Sequence, residues 1–265
     1  MQGIGGHAVE RLRRLLASPS ILVMPTAHDP VSAWLSEMAG FEAVLLSRAA
    51  VSLALTATDD ADLIDDETMV QHSGEICRLV SIPVLVDLTP VRGSVGKLRH
   101  TAASLAMCGV AGLIVDDSAT EHFDASDQAV LQRRVDAVRE GLALRGLDVV
   151  IVVRTVAGTN SEMDSHSALA RLDALGPPPD LGIVDGPSGM GRPPSTDRLG
   201  TPLMHLDFGP VGDDSRAREA ERDGFRAFAW AQPLVTTAID AMRTALNSVN
   251  TRDPESSARP IDHSG

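Results

Sequence analysis

The sequence predicts an α/β protein built as a (β/α)8 TIM barrel, and three observations carry that expectation. Eight short β-rich runs alternate with helical patterns over about 230 residues, the span such a barrel needs. The runs are continuously apolar, as parallel strands covered on both faces must be. Most also carry a charged or hydroxylated residue at or next to their last position, and a barrel carries its chemistry at those strand ends. An open doubly wound sheet is the alternative, but no G-x-G-x-x-G follows the first run.

The elements can be taken in order. MQGIGGHAVERLRRLL has Arg and Glu at helical spacing and lacks a signal-peptide core. ILVMPTA (21–27) is the first strand. Asp29-Pro30 caps the next helix, DPVSAWLSEMAG, which Gly40 stops, with Val31, Leu35 and Met38 on one face. EAVLLS (42–47) leads into an acidic loop, TDDADLIDDE (58–67), and the helix DETMVQHSGEICRLV. PVLVDL (83–88) is followed by GSVGKLRHTAASLAMCG, and AGLIVD (111–116) by ASDQAVLQRRVDAVREGLALRG. DVVIVVRT (148–155) precedes EMDSHSALARLDALG. After LGIVDG (181–186), GPSGMGRPPSTDRLG holds too much Gly and Pro for a full helix. PLMHLD (202–207) precedes the polar helix DDSRAREAERDG. FRAFAWA (225–231) precedes PLVTTAIDAMRTALNSVN, whose Val235, Ile239, Met242 and Leu246 form one stripe. Residues 1–250 are thus expected as a single domain, and 251–265 as a disordered tail.

Composition excludes several function classes. A net charge of −13 offers no basic stripe for nucleic acid or a membrane surface. No apolar run is long enough to span a bilayer. Cys77 and Cys108 match no metal or redox spacing and read as reduced packing residues of a cytoplasmic protein.

The strand ends supply the candidate chemistry: Thr26 and His28, Ser47 and Arg48, Asp87 and Thr89, Asp116 and Asp117, Arg154 and Thr155, Asp185, Asp207, and Trp230 with Gln232. Any one aspartate is more simply a helix cap. Asp87 and Asp116 differ, because neighbouring strands hold them together and like charges so placed need a cation, an arginine or a shared proton. Mg²⁺ with several waters suits the pair, and Arg154 on the next strand can hold a substrate carboxylate. His28 reads equally as a proton shuttle and as a polar packing residue. The acidic loop reads equally as a lid and as a solvated segment, and GPSGMGR (186–192) as an anion cradle or a plain loop.

These residues also resemble a known family. LLASPSILVMPTAHDPVSAWLSEMAGFEAVLLSRAAVSLAL is similar to the opening of the isocitrate lyase / phosphoenolpyruvate mutase superfamily, and the likeness continues through SIPVLVDLTP, GVAGLIVDDSA and VVIVVRTVAG, over roughly residues 12 to 160. The resemblance implies a barrel that holds a 2-oxo acid or enolate-like substrate against Mg²⁺. It places the carboxylate clamp on the backbone of Ser47, Arg48 and Ala49, a loop aspartate at Asp59, metal-side carboxylates at Asp87 and Asp116, and the arginine at Arg154. It further implies a last helix packed on a neighbouring subunit, in homodimers or homotetramers. The sequence departs from the pattern at Thr89, where the family has a second aspartate. Arg48 stands for its glycine, His28 for its tyrosine and Val156 for a further aspartate, while the K-C-G-H segment after the fourth strand is missing.

The leading expectation is a lyase or mutase that makes or breaks a C–C or C–P bond of a small 2-oxo or enol carboxylate through an enolate. Asp59 or His28 would move the proton, and Asp87 and Asp116 would hold the metal. The alternative is a barrel without metal-dependent lyase activity, serving as a metal-free enzyme or a binding or scaffold subunit.

Overall fold

A helix across the floor organises the fold. In the computed structural model, which describes residues 4–89, 93–117, 128–156, 162–185, 200–209, 215–231 and 233–249, α1 (Ile4–Leu16) buries Leu12 among the inward side chains of a ring of parallel strands. The first predicted strand is divided into β1 (Leu22–Met24) and β2 (Thr26–Ala27), because Pro25 has no N–H to offer a ladder. The Pro25 carbonyl still accepts from Leu45 N at 3.0 Å.

β1 pairs with the last strand, β9 (Ala227–Trp230), while β2 pairs with β3 (Val44–Ser47). The ladder continues through β4 (Val84–Asp87), β5 (Gly112–Asp116), β6 (Val150–Val156) and β7 (Leu181–Asp185), parallel throughout. β7 meets β8 (Met204–Asp207) through the bridge Gly182–Leu203, with Gly182 N donating to the Pro202 carbonyl at 2.8 Å, and β8 pairs with β9. The two parallel sheets, β1-β9-β8 and β2 to β7, thus follow one another around the expected (β/α)8 barrel, joined by that bridge and by the chain itself through Pro25.

The connecting helices are α2 (Pro30–Met38), α3 (Arg48–Thr56), α4 (Asp66–Leu79), α5 (Val95–Met107), α6 (Gln128–Ala143), α7 (Glu162–Asp173), α8 (Ser215–Arg222) and α9 (Pro233–Val249). Local chemistry sets their starts. Asp29 Oδ1 accepts from Ser32 N at 2.7 Å in a capping box at α2. Asp65 caps α4 and Ser94 caps α5 in the same way. Helix α3 is an addition to the sequence reading, which ran the second strand directly into the acidic loop. It ends at Ala57, the one non-glycine among the described residues with a positive φ, of 61°.

Two hydrophobic layers follow from strand alternation. Leu45, Leu85, Ile114, Val150, Val152, Ile183, Met204 and Leu206 fill the barrel interior. Val44, Leu46, Val84, Val86, Leu113, Val115, Ile151 and Val153 pack outward beneath the helices. A Cβ on inward Gly112 would come 2.5 Å from Leu85 Cδ1 and 3.2 Å from Leu12 Cδ2, so glycine here lets α1 seat against the floor.

Two stripes read from periodicity behave differently from a core face. On α2 the buried residues are Ser32, Ala33 and Ser36, while Val31, Leu35 and Met38 lie outside, Met38 at 68% exposure. Small residues let this helix approach its neighbours closely, which leaves its larger apolar side chains outward. On α9 only the first turns are covered: Val235 is buried against Ala50 and Leu53, with Ile239 beside it. Met242 and Leu246 are exposed, Leu246 at 66%. Among the described residues no helix is long and apolar enough to cross a membrane.

Candidate functional site

Strand parity decides which rim residues meet. Counting two residues on from inward Leu45, Leu85, Ile114 and Val152 gives Ser47, Asp87, Asp116 and Arg154, all of inward parity. Their register pairs Ser47 with Asp87 and Asp116 with Arg154. Asp87 itself lies opposite Ile114, so the two carboxylates sit one inward step apart along the rim.

A cavity of about 200 Å³ opens there, lined by Leu45, Ser47, Ala49, Asp87, Thr89 and Arg154, with Ala61, Leu206, Phe208 and Ala231 completing it. Its polar side is internally bonded. Thr89 N donates to Asp87 Oδ1 at 2.9 Å, and Arg154 Nη1 donates to Thr89 Oγ1 at 3.0 Å. Thr89 therefore links carboxylate and guanidinium as a neutral relay, where the resemblance places a second aspartate. Burial pushes the Asp87 carboxyl above its usual range; the charge of Arg154 and the Thr89 bonds oppose this, while the charge of Asp116 adds to it.

Beside Asp87, Ser47 ends β3 and caps α3, its Oγ accepting from Ala50 N at 3.5 Å. The first amides of α3, those of Arg48 and Ala49, lie at the helix terminus where anions are favoured. The Arg48 guanidinium is turned elsewhere. It donates to the Ile64 carbonyl at 2.9 Å and to Asp66 Oδ1 at 2.6 Å, and Asp66 also accepts from Thr101 Oγ1 at 3.0 Å. Burial works against the Asp66 charge, but the bond and charge of Arg48, with Thr101 and Lys97, outweigh it and hold the carboxyl below its usual range. Arg48, which stands where the family has glycine, therefore does not bring its cation to the carboxylate site: its charge is spent on Asp66, and it ties the acidic segment to the rim.

That segment is structured rather than a plain solvated loop. A short 3-10 turn spans Ala61–Leu63, Ser52 Oγ donates to the Asp60 carbonyl at 2.6 Å, and Ala61 faces the cavity. Asp59 itself is exposed and does not line the cavity. His28 does not line it either. Its ring is half-buried with Nε2 3.8 Å from Asp29 Oδ1, and burial lowers its pKa from 6.5 against the pull of Asp29.

The remaining strand-end aspartates point away from the cavity. Asp117 is gripped by Arg171 on α7, at 3.0 Å from Nε and 2.9 Å from Nη2. Asp207 pairs with Arg216 on α8 at 2.6 Å. Asp116 lies between the two cases: Arg134 on α6 donates to its backbone carbonyl at 2.8 Å and stands 3.8 Å from Oδ1. The side chains of Asp185 and Val156, together with Gln232, the segments 118–127 and 186–192, and the tail 251–265, lie outside what the structure describes.

The donor set can be weighed against Mg²⁺. Among the described residues no group of three or more His, Cys, Asp or Glu side chains is placed to hold a metal. Mg²⁺ is commonly held by one or two carboxylates, with water and substrate oxygens completing the shell. Asp87, with the oxygens of Ser47 and Thr89 on the same cavity, fits that looser description, while Asp116 does not line the cavity and its Oδ1 stands 3.8 Å from Arg134. A hard cation would also relieve the buried charge on Asp87. Sequence reasoning missed the apolar side of the cavity, Ala61, Leu206, Phe208 and Ala231. Parity would have found Leu206, two positions beyond inward Met204.

Comparison with known proteins agrees with this fold. A family model described as Phosphoenolpyruvate phosphomutase matches residues 12–175. A 2-methylisocitrate lyase of Bacillus subtilis is 26% identical over 168 residues, 62% of this chain and 54% of the relative. An oxaloacetate decarboxylase of Chromohalobacter salexigens is 30% identical over 167 residues, 61% of this chain and 57% of the relative. The chain thus spans about half the length of these curated relatives. Among solved structures, oxaloacetate acetylhydrolase superposes with a TM-score of 0.79 at 18% identity, covering 95% of this chain and 91% of that one. Phosphonopyruvate hydrolase in complex with oxalate and Mg²⁺ gives 0.77 at 18%, covering 97% and 93%. The family match takes in the strands that carry Ser47, Asp87, Asp116 and Arg154, and the chain belongs to the phosphoenolpyruvate phosphomutase family.

Proposed function

We propose that this chain is an enzyme of the lyase or mutase kind, breaking or making a C–C or C–P bond of a small 2-oxo or enol carboxylate. One observation carries the reading: Ser47, Ala49, Asp87, Thr89 and Arg154 converge on a single cavity at the strand ends. The relatives support it, since oxaloacetate and phosphonopyruvate, named in two of them, are both 2-oxo acids.

In this reading Arg154 and the first amides of α3 orient the substrate carboxylate. The electron pair of the broken bond passes into the 2-oxo group as an enolate, while the electron-poor fragment leaves as carbon dioxide or is taken up by water or by the enolate oxygen; an enolate left free is then quenched at carbon by a proton. Neither Asp59 nor His28 lines the cavity; Asp59 is kept as the proton carrier because its segment supplies Ala61, and His28, held neutral by burial, is the weaker candidate. Asp87 and Asp116 would hold Mg²⁺, whose Lewis acidity lowers the cost of negative charge on the 2-oxo oxygen. Thr89 fixes Arg154 and Asp87 relative to one another.

The test is pyruvate release from oxaloacetate above a metal-only control, together with calorimetric binding of oxalate and Mg²⁺. Arg154→Lys keeps the charge and loses the fork, so oxalate affinity should weaken about tenfold while the fold survives. Asp59→Asn should slow turnover and spare oxalate binding. A wild-type protein that binds neither oxalate nor Mg²⁺ would retire this function.

We further propose a cytoplasmic homodimer or homotetramer in which α9 packs on a neighbour. Its exposed second half and the outward apolar face of α2 support that assembly, and two free thiols suit a reducing compartment. Light scattering that finds a monomer at high concentration, or fractionation that places the protein outside the cytoplasm, would remove the corresponding part.

A further inference from the structure

We infer that the cavity selects a carboxylate whose far end is apolar, a branched-alkyl or aryl group seated against Phe208. The inference rests on the proposed function and narrows it to a substrate class. The cavity lining is of two kinds: Ser47, Asp87, Thr89 and Arg154 are polar, whereas Leu45, Ala49, Ala61, Leu206, Phe208 and Ala231 are apolar. A second carboxylate or a phosphonate at the far end of the ligand would meet hydrocarbon there.

Phe208 is the unusual member. The chain has five Phe and no Tyr, yet this ring stands 60% exposed at the mouth. An aromatic left in water forgoes a burial gain that a ligand could recover. Nor does the ring hang from a loose loop. Asp207 Oδ1 accepts from Gly209 N at 3.2 Å and pairs with Arg216 Nη2 at 2.6 Å, so the turn on which Phe208 sits is fixed from behind. A Cβ at Gly209 would lie 1.5 Å from Arg216 Nη1, so any larger residue would have to push this guanidinium aside. Ala61 is fixed too, through Ser52 on the Asp60 carbonyl and Arg48 on the Ile64 carbonyl. Outward-facing bonds thus hold both apolar walls in place before any ligand arrives, which is the condition for selective binding.

The experiment measures dissociation constants with Mg²⁺ present for oxalate, pyruvate, oxaloacetate, 4-methyl-2-oxopentanoate and phenylpyruvate. The tailed 2-oxo acids should bind about tenfold or more tighter than pyruvate, and tighter than oxaloacetate. Phe208→Ala should shrink the phenylpyruvate-to-pyruvate ratio towards one, and Phe208→Leu should restore most of it. Oxalate binding without a preference for tailed acids, or a preference that survives Phe208→Ala, would overturn this inference and leave the proposed function standing. Failure of every carboxylate to bind would overturn both.

Discussion

Asp116 and Asp117 are neighbours in sequence, close in burial and identical in chemistry, yet they belong to different regions of the molecule. Asp116 has inward parity and shares the rim with Asp87 and Arg154. Asp117 turns out of the barrel and is held by Arg171. Asp207 repeats the outward case with Arg216. Outward Asp117 and Asp207 are each held by an arginine of a covering helix, Arg171 on α7 at 2.9 Å and Arg216 on α8 at 2.6 Å, whereas inward Asp87 has burial working against its charge and a like-charged neighbour. The lesson is that a strand-end aspartate becomes a candidate for chemistry when its charge is incompletely repaid by the protein.

Substitutions can break this contrast, and Asp87→Asn should have the largest effect. Its folded pKa is raised above the ordinary 3.8, so the carboxyl contributes stability below that value and loses it as pH rises through the folded pKa. At neutral pH the ionised group is therefore a cost. Asn keeps the acceptor for Thr89 N and removes the charge. It should raise Tm at pH 7 and weaken binding of Mg²⁺ with oxalate by about a hundredfold. A lower Tm would show that the Asp87 charge holds the barrel together.

Asp117→Ala should behave in the opposite way. Removing one partner of a buried pair strands Arg171, at a cost of about 3 kcal/mol in urea unfolding. Oxalate affinity should stay within about twofold of wild type. A loss of affinity like that of Asp87→Asn would erase the distinction between the two faces.

The smallest effect sharpens the comparison at His28, another polar group without full compensation. Its folded pKa is lowered below 6.5, so its contribution is present above 6.5 and lost as pH falls through the folded value. Wild-type stability should therefore decline on mild acidification below pH 6.5, and His28→Asn should flatten that slope. An unchanged slope would place the titrating group elsewhere.

The barrel was legible because apolar runs, glycine stops and capping aspartates repeat with the right spacing, and Asp87, Asp116, Arg154 and Ser47 were legible as ends of those runs. What their spacing left open was direction. Arg48 occupies a substrate-side position in the chain, yet its long side chain reaches Asp66, whose location depends on where α4 begins in space. Val31 and Met38 repeat at core spacing, but the small Ser32, Ala33 and Ser36 face inward because helix packing rewards close approach there. Phe208 drew no notice because nothing local to PLMHLDFG says that Arg216 will lock the turn beneath it.

The break at Pro25 also has a bearing on assembly order. β2 meets β3, its near neighbour along the chain, whereas β1 must wait for β9, at the far end. One short stretch thus joins a local pairing that can form early to a distant one that cannot form until the last strand has been made. Until then, Leu22 to Met24 present a bare strand edge, open to any other chain that offers a matching one.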